Sequence, residues 1–219
     1  MARALPTSFF ARDADLVARD LLGRVLVHET AHGRLAGRVV ETEAYFGPPG
    51  RNPQLAQRAD MPARLRARLL REGDPAAHSF VGVTERNRVM YGPPARAYVY
   101  LIYGVHECLN VTTGPSDEPQ AVLLRALEPT EGVPEMARRR GRSSLRDLCS
   151  GPGKLCKALG VTRAQYGHDM TEPPLWFEAG EPAARVEATP RVGVVGAEDL
   201  PLRFVEKGSP FASRRAPQR

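Results

Sequence analysis

Apolar and polar residues follow strand spacing in some segments of this chain and helix spacing in others, and the two kinds of segment are interleaved. Runs of β-branched, aromatic and aliphatic residues, bounded by turn-forming residues, predict strands. These runs cover residues 24–28, 34–45, 97–103, 108–112 and 121–127, with shorter strands around Trp176, 192–195 and 202–205. Tight reversals at His32-Gly33 and Gly104-Val105 favour antiparallel pairing of neighbouring strands.

Helical spacing of apolar residues predicts four helices. The first begins at Asp13 or Asp15 and stops at Gly23, and the others cover residues 62–73, 134–146 and 150–160. The chain contains no internal repeat and no linker long enough to separate two domains. We therefore predict a single α+β domain over residues 1–219, with an insertion at 51–75 and a flexible tail at 209–219.

Composition and charge narrow the class of protein. The 219 residues include 31 basic and 25 acidic side chains, for a net charge of +6, and 28 of the basic residues are arginine. This excess suits a polyanionic partner, although a GC-rich coding bias raises arginine content in the same way. No apolar run approaches the roughly 20 residues of a membrane span, and we identify no signal peptide. Cys108, Cys149 and Cys156 lack metal-site spacing and favour a reduced, cytoplasmic protein.

Three polar side chains of the second predicted strand share one face. Alternate residues of a strand point to the same side, which groups Glu41, Glu43 and Tyr45. A carboxylate at the end of an apolar strand is a candidate general base. Two other interpretations stay open, a solvated strand end and a magnesium-binding pair. Arg125 lies within the apolar run 121–127 and needs an anionic partner, in either a structural salt bridge or a catalytic site.

Two further motifs carry candidate chemistry. Tyr98 and Tyr100 fit an aromatic strand in a core, and Tyr103 fits either that core or an exposed wedge between base pairs at a hairpin tip. Residues 150–154 fail the phosphate-loop pattern, so they form either an ordinary helix cap or a site where Lys154 holds one backbone phosphate. Because GxGxxG, GxSxG and HExxH motifs are absent from the sequence, we expect no cofactor and no zinc.

Eight segments of the chain carry a resemblance to a known family. They are ETEAY at 41–45, AAHS at 76–79, RNRVM at 86–90, YVYLIYG at 98–104, CLNV at 108–111, LLRALEP at 123–129, LCSGP at 148–152 and PRVGV at 190–194. In order, and over nearly the whole chain, they resemble the alkyladenine (3-methyladenine) DNA glycosylases of the human type. The resemblance implies an α+β domain with a curved antiparallel sheet, flanking helices and a protruding β-hairpin that inserts into DNA.

The resemblance also implies roles for the matching catalytic residues. Glu43 matches the glutamate that activates a water for attack on the sugar, and Arg125 and the backbone carbonyl of Val192 match positions that hold this water. Tyr103 matches the residue that enters the minor groove and replaces a damaged nucleotide. The implied reaction is metal-free hydrolysis of an N-glycosidic bond, which leaves an abasic site.

Further matching residues concern the base pocket and the DNA backbone. Tyr45, His78 and Tyr100 match the walls that stack on or hydrogen-bond to the base, and Asn110 matches a residue that screens out guanine. We also expect Arg86 and Lys154 to contact backbone phosphates.

We accordingly expect a monofunctional glycosylase without lyase activity, since no lysine matches a Schiff-base nucleophile. It acts as a monomer on double-stranded DNA with damaged purines, without a cofactor, an obligate protein partner or a membrane, in the cytoplasm and at the nucleoid when bound to DNA. One rival is a catalytically inert damage-binding protein with the same wedge and pocket, and another is a magnesium-dependent nuclease built on Glu41 and Glu43. The chain departs from the human-type pattern in its extra length at 51–75 and at Val105 and His106-Glu107 beside the wedge.

Overall fold

Eight strands pair antiparallel in one sheet in this structure, a computed structural model that describes residues 3–213. The strands are β1 (Val25–Thr30), β2 (Gly33–Tyr45), β3 (Ala97–Ile102), β4 (His106–Thr113), β5 (Gln120–Glu131), β6 (Leu175–Glu178), β7 (Val186–Thr189) and β8 (Arg203–Glu206). Their order is β3-β4-β5-β2-β1-β6, while β8 pairs with both β2 and β7. The predicted antiparallel sheet is confirmed.

Six α-helices accompany the sheet and make the fold α+β. They are α1 (Thr7–Phe10), α2 (Ala14–Asp20), α3 (Ala63–Glu72), α4 (Val133–Arg140), α5 (Leu145–Leu148) and α6 (Pro152–Leu159), with 3₁₀ turns at Pro53–Gln57, Arg88–Tyr91 and Arg163–Gln165. Buried side chains such as Val17 of α2 and Leu155 of α6 join the sheet in one main core. Each such side chain contributes about 1.5–3 kcal/mol through removal of apolar surface from water. Helices from both halves of the chain therefore share one core, as a single domain requires.

The central strand β2 positions the candidate chemistry. On one face, the hydroxyl of Thr42 donates a 2.8 Å hydrogen bond to the Ala18 carbonyl of α2. Glu41 and Glu43 consequently point to the opposite face. Across the strand pair, Glu41 lies opposite Ala126 and Thr42 lies opposite Leu124, so Arg125 is the extra residue of a β-bulge. A bulge redirects a side chain, and this one directs Arg125 toward the two carboxylates.

Two local predictions were wrong. Residues 134–146 form two short helices, because Gly141 adopts a left-handed φ of 60° that ends α4. Residues 192–195 form no strand, because Gly193 turns the chain with a φ of 72°. The short strand β7 was not foreseen, since its four residues carry little signal of their own.

The segment predicted as an insertion is tied into the domain. Leu55, Leu65 and Leu69 belong to the main core, and Arg58 forms ion pairs with Asp13. Of the predicted tail, residues 209–213 lie in the described part of the chain and residues 214–219 lie outside it. Among residues 3–213, no helix combines the length and apolar composition needed to cross a membrane.

Candidate active site

Two carboxylates and one guanidinium form a buried cluster on one face of the sheet. Nε of Arg125 lies 2.9 Å from Oε1 of Glu41, and its Nη1 lies 3.3 Å from Oε2 of Glu43. Both carboxylate side chains are fully buried. Burial alone lowers the pKa of Arg125, but the two carboxylates raise it above its usual value, so the guanidinium stays charged. Arg125 thus finds the anionic partner that its apolar surroundings require.

Four hydrogen-bond donors contact Glu41. Its oxygens accept from Nε of Arg125 at 2.9 Å and from Nε of Arg203 at 2.7 Å. They also accept from the backbone N–H of Ser213 at 2.5 Å and its hydroxyl at 2.7 Å. Burial alone raises the pKa of Glu41, but Arg125 and Arg203 lower it below its usual value. Three of these donors contact Oε1 and one contacts Oε2, so structural contacts hold Glu41 at both oxygens.

Glu43 differs from Glu41 because fewer donors contact its carboxylate. Its carboxylate accepts from the Tyr45 hydroxyl at 2.9 Å, from the Val192 backbone N–H at 2.8 Å and from Arg125 at 3.3 Å. About one of its four acceptor sites is therefore unused. Glu43 also lines a pocket, and Glu41 does not. A carboxylate in this arrangement can bind a water and take its proton.

The pocket beside Glu43 has a volume of about 320 Å³, which is near the lower end for small-molecule sites. Seven of the ten predicted site residues line it. They are Glu43, Tyr45, His78, Tyr100, Asn110, Arg125 and Val192. Tyr103, Arg86 and Lys154 are outside its lining. The fold thus brings together residues from β2, β3, β4 and β5 and from two loops.

One wall of the pocket is aromatic and uncharged. The His78 ring packs edge-on against Tyr100 with a centroid distance of 4.5 Å, and its Nδ1 lies 2.7 Å from the Tyr98 hydroxyl. Burial, assisted by the charge of Arg86, lowers the pKa of His78 to about 4, so the imidazole is neutral near pH 7. Burial also raises the pKa of Tyr98 to about 12. This wall offers flat surfaces and hydrogen bonds without a charge of its own.

Asn110 is held rigidly at the pocket. It is buried, and its amide nitrogen donates a 3.0 Å hydrogen bond to the backbone carbonyl of Tyr98 on the neighbouring strand. This contact fixes the plane of the amide and therefore the shape of the pocket on that side.

The β3–β4 hairpin presents Tyr103 to solvent. The side chain of Tyr103 is 87% exposed, in contrast with Tyr98, which is buried in the core. Tyr103 also adopts a φ of 52°, a left-handed conformation that costs a non-glycine residue about 1 kcal/mol. A tyrosine kept exposed and strained at a hairpin tip contributes nothing to the core, and such strain is typical of functional positions. Nearby, Glu107 pairs with Arg163 at 3.3 Å, which reduces the negative charge beside the tip.

The two residues predicted to contact DNA phosphates have different surroundings. The exposed Arg86 places its guanidinium carbon 4.9 Å from the ring centroid of Tyr100. Lys154 lies in α6 and donates a 3.1 Å hydrogen bond to the Ser150 hydroxyl. Lys154 and Arg125 both line a second, polar cavity of about 460 Å³. Within the described part of the chain, no contact of Lys154 selects between a helix cap and a phosphate site, and both phosphate contacts stay predictions.

A buried ion pair that the sequence analysis missed supports the site from behind. Nη1 and Nη2 of Arg191 each lie 2.7 Å from a carboxylate oxygen of Asp74, and both side chains are fully buried. Arg191 also donates to the Ala44 carbonyl and packs against Tyr45, with 4.5 Å between the guanidinium carbon and the ring centroid. Arg191 thereby fixes Tyr45 and also Val192, the residue that follows Arg191 in the chain. The only signal in the sequence was the presence of Arg191 in the PRVGV motif.

Comparisons with known proteins place this chain in a family. The profile of the methylpurine-DNA glycosylase family matches residues 8–210. A protein of Methanoculleus marisnigri named "Putative 3-methyladenine DNA glycosylase" is 45% identical, over 96% of this chain and 99% of its own length. Proteins of the same name from Koribacter versatilis and Methanocella arvoryzae are 45% and 43% identical, over 95% and 97% of this chain and 92% and 97% of their own lengths. With a match over nearly its whole length, this chain belongs to the methylpurine-DNA glycosylase family.

Proposed function

We propose that this protein is a base-excision repair enzyme that flips alkylated or deaminated purines out of double-stranded DNA and hydrolyses their N-glycosidic bond. The observation that carries the proposal is the position of Glu43, a buried carboxylate with one unused acceptor site at a pocket of about 320 Å³. Family membership supports DNA as the substrate, as does the net charge of +6.

The proposed reaction needs one water and one general base. Glu43 takes a proton from the water while the water oxygen forms a bond to the anomeric carbon of the sugar. The bond between that carbon and the purine nitrogen breaks, and its electron pair leaves with the base. A cationic purine leaves as a neutral base, whereas an uncharged purine leaves as an anion that takes up a proton from solvent. Arg125, which contacts Glu43, and the carbonyl of Val192 hold the water. The products are the free base and an abasic site.

The lining of the pocket fits a flipped purine. Tyr45, His78 and Tyr100 supply flat surfaces for stacking on the extruded base. Alkylated purines that carry a positive charge gain additional attraction to aromatic faces. Among the described residues, no lysine lines the pocket, which supports hydrolysis by water and not through a Schiff base. The enzyme acts alone, as a monomer and without a cofactor, in the cytoplasm.

The wedge role of Tyr103 gives a first prediction. Tyr103→Ala is expected to lower the excision rate and the preference for damaged DNA, because the inserted ring recovers part of the few kcal/mol lost on unstacking a nucleotide. Stability is expected to change little, since the side chain is 87% exposed. The slope of log affinity against log salt is expected to match that of the wild type, because no phosphate contact is lost.

Tyr103→Phe serves as the control, since it keeps the ring. Thermal stability, salt slope and single-turnover excision are measured on the same preparations. An unchanged excision rate in folded Tyr103→Ala protein refutes the wedge role.

A second prediction concerns the exclusion of guanine. Asn110→Ser is expected to increase the release of guanine, because a smaller side chain removes the clash of the fixed Asn110 amide with an exocyclic amino group. The measurement compares two duplexes that differ only in guanine or hypoxanthine at one position. Hypoxanthine lacks this amino group, so its release is expected to stay near the wild-type rate. Equal guanine release by variant and wild type counts against the role of Asn110.

The two rival functions make different predictions. An inert damage-binding protein retains affinity for the lesion and releases no base. A magnesium-dependent nuclease loses activity with a chelator, but the four donors around Glu41 argue against a metal between Glu41 and Glu43. Within the described part of the chain, no group of three or more His, Cys, Asp or Glu side chains is arranged to hold a metal ion. Base release in the presence of EDTA separates the glycosylase from both rivals, and strand cleavage that requires Mg²⁺ separates the nuclease from the inert protein.

A further inference from the structure

Each of two tyrosines that line the pocket has an arginine packed against its ring. The guanidinium carbon of Arg191 lies 4.5 Å from the ring centroid of Tyr45, and that of Arg86 lies 4.9 Å from the centroid of Tyr100. Neither arginine lines the pocket. Arg191 is neutralised by its ion pair with Asp74. Within residues 3–213, Arg86 forms no ion pair with a carboxylate, in contrast with Arg191.

The charge of Arg86 acts on the groups of the aromatic wall. Together with burial, which is the larger cause, it lowers the pKa of His78 to about 4. A positive charge that disfavours the imidazolium also disfavours any other cation close to His78 and Tyr100. In addition, the guanidinium of Arg86 already interacts with the ring of Tyr100. A cationic base depends on the same ring for cation–π attraction.

We propose that Arg86 is a specificity-determining residue that biases the pocket toward uncharged purine lesions and away from cationic ones. The inference rests on the proposed function and goes beyond it, since it separates two chemical classes of substrate. Hypoxanthine is an uncharged lesion, whereas 7-methylguanine in DNA carries a positive charge.

The discrimination arises when the base enters the pocket. Cleavage of the glycosidic bond leaves an electron pair on the base and changes its charge by one negative unit, whether the base begins neutral or cationic. Arg86 therefore assists bond cleavage equally in both classes. The effect of Arg86 differs between the two classes of lesion only before cleavage, when the cationic base meets a like charge near the pocket. The effect is accordingly expected in the ratio of kcat/KM values.

The test is a competition in which one reaction contains two labelled duplexes, one with 7-methylguanine and one with hypoxanthine. In Arg86→Gln, the ratio of kcat/KM for 7-methylguanine to that for hypoxanthine is expected to rise on the order of tenfold, the size expected for removal of one like charge at a partly solvated site. Arg86→Lys keeps the charge and is expected to keep the wild-type ratio. Any effect of Asn110 on the 2-amino group of 7-methylguanine is the same in all variants, so it cancels when their ratios are compared.

Arg88→Gln is the matched control. Arg88 lies two residues further on, is exposed and pairs with Glu85 at 3.3 Å, so the substitution removes one positive charge from the same segment without touching Tyr100. Loss of a phosphate contact lowers excision of both lesions together and leaves their ratio unchanged. An equal ratio in Arg86→Gln and Arg88→Gln overturns the inference. If the wild type releases neither base, the proposed function fails instead.

Discussion

Glu43→Gln is expected to lower the single-turnover rate of base excision by about 10²–10⁴-fold, the usual loss on removal of a general base. Lesion binding is expected to persist, because the amide keeps the shape of the side chain. Folding is expected to persist as well, since Arg125 retains its 2.9 Å ion pair with Glu41. The measurement is the release of base from a duplex with one lesion, with enzyme in excess, beside a binding titration on the same preparation.

Glu41→Gln is the matched control, because the two carboxylates lie on one face of β2 and share Arg125. This change leaves the buried Arg203 without its carboxylate partner at 2.7 Å, so it is expected to lower the free energy of unfolding. The folded fraction is expected to excise bases, since Glu41 does not line the pocket. An active Glu43→Gln together with an inactive, folded Glu41→Gln contradicts the assignment of the general base.

Asp74→Asn is expected to lower the free energy of unfolding by about 3–5 kcal/mol, because it leaves the fully buried Arg191 without a counter-charge. A domain of ordinary stability has only about 5–15 kcal/mol in total, so the melting temperature is expected to fall strongly. Asp74 also accepts a 3.0 Å hydrogen bond from the backbone N–H of Phe46, just after β2. Equilibrium denaturation in urea measures the change.

The control for Asp74→Asn is the double variant Asp74→Asn, Arg191→Met. Replacement of both charges removes the unpaired cation, so the double variant is expected to be more stable than Asp74→Asn alone. Its excision rate is expected to be lower than that of the wild type, since Arg191 packs against Tyr45 and precedes Val192. Stability of Asp74→Asn equal to that of the wild type shows that the pair does not support the fold.

Local sequence patterns were sufficient for the longer strands of the sheet and for the face that carries the chemistry. The alternation along residues 41–45 placed Glu41 and Glu43 on the same side, and the apolar surroundings of Arg125 required an anionic partner. Both predictions depend only on neighbours in sequence or on the cost of burying a charge. The contacts of Arg125 with the two carboxylates agree with them.

The distinction between the two carboxylates could not be predicted in the same way from the residues. The donors to Glu41 include Arg203, which is 162 positions away, and Ser213, which is 172 positions away. The ion pair of Asp74 with Arg191 spans 117 positions, and Asp74 lay in a segment that composition marked as an insertion. Such pairings depend on how the chain returns to the sheet, and no local pattern specifies that path. Only the resemblance to a family singled out Glu43.

The most direct test is to incubate the wild-type protein, in excess and with EDTA, with a duplex that carries one hypoxanthine. Free hypoxanthine is expected in the supernatant in an amount equal to the abasic sites formed, and the strand is expected to stay intact until alkali cleaves it at the abasic site. Substitution of Glu43 by Gln is expected to lower the rate of this release by about 10²–10⁴-fold. Specific binding of the lesion by the wild type without release of any base contradicts the proposed glycosylase activity.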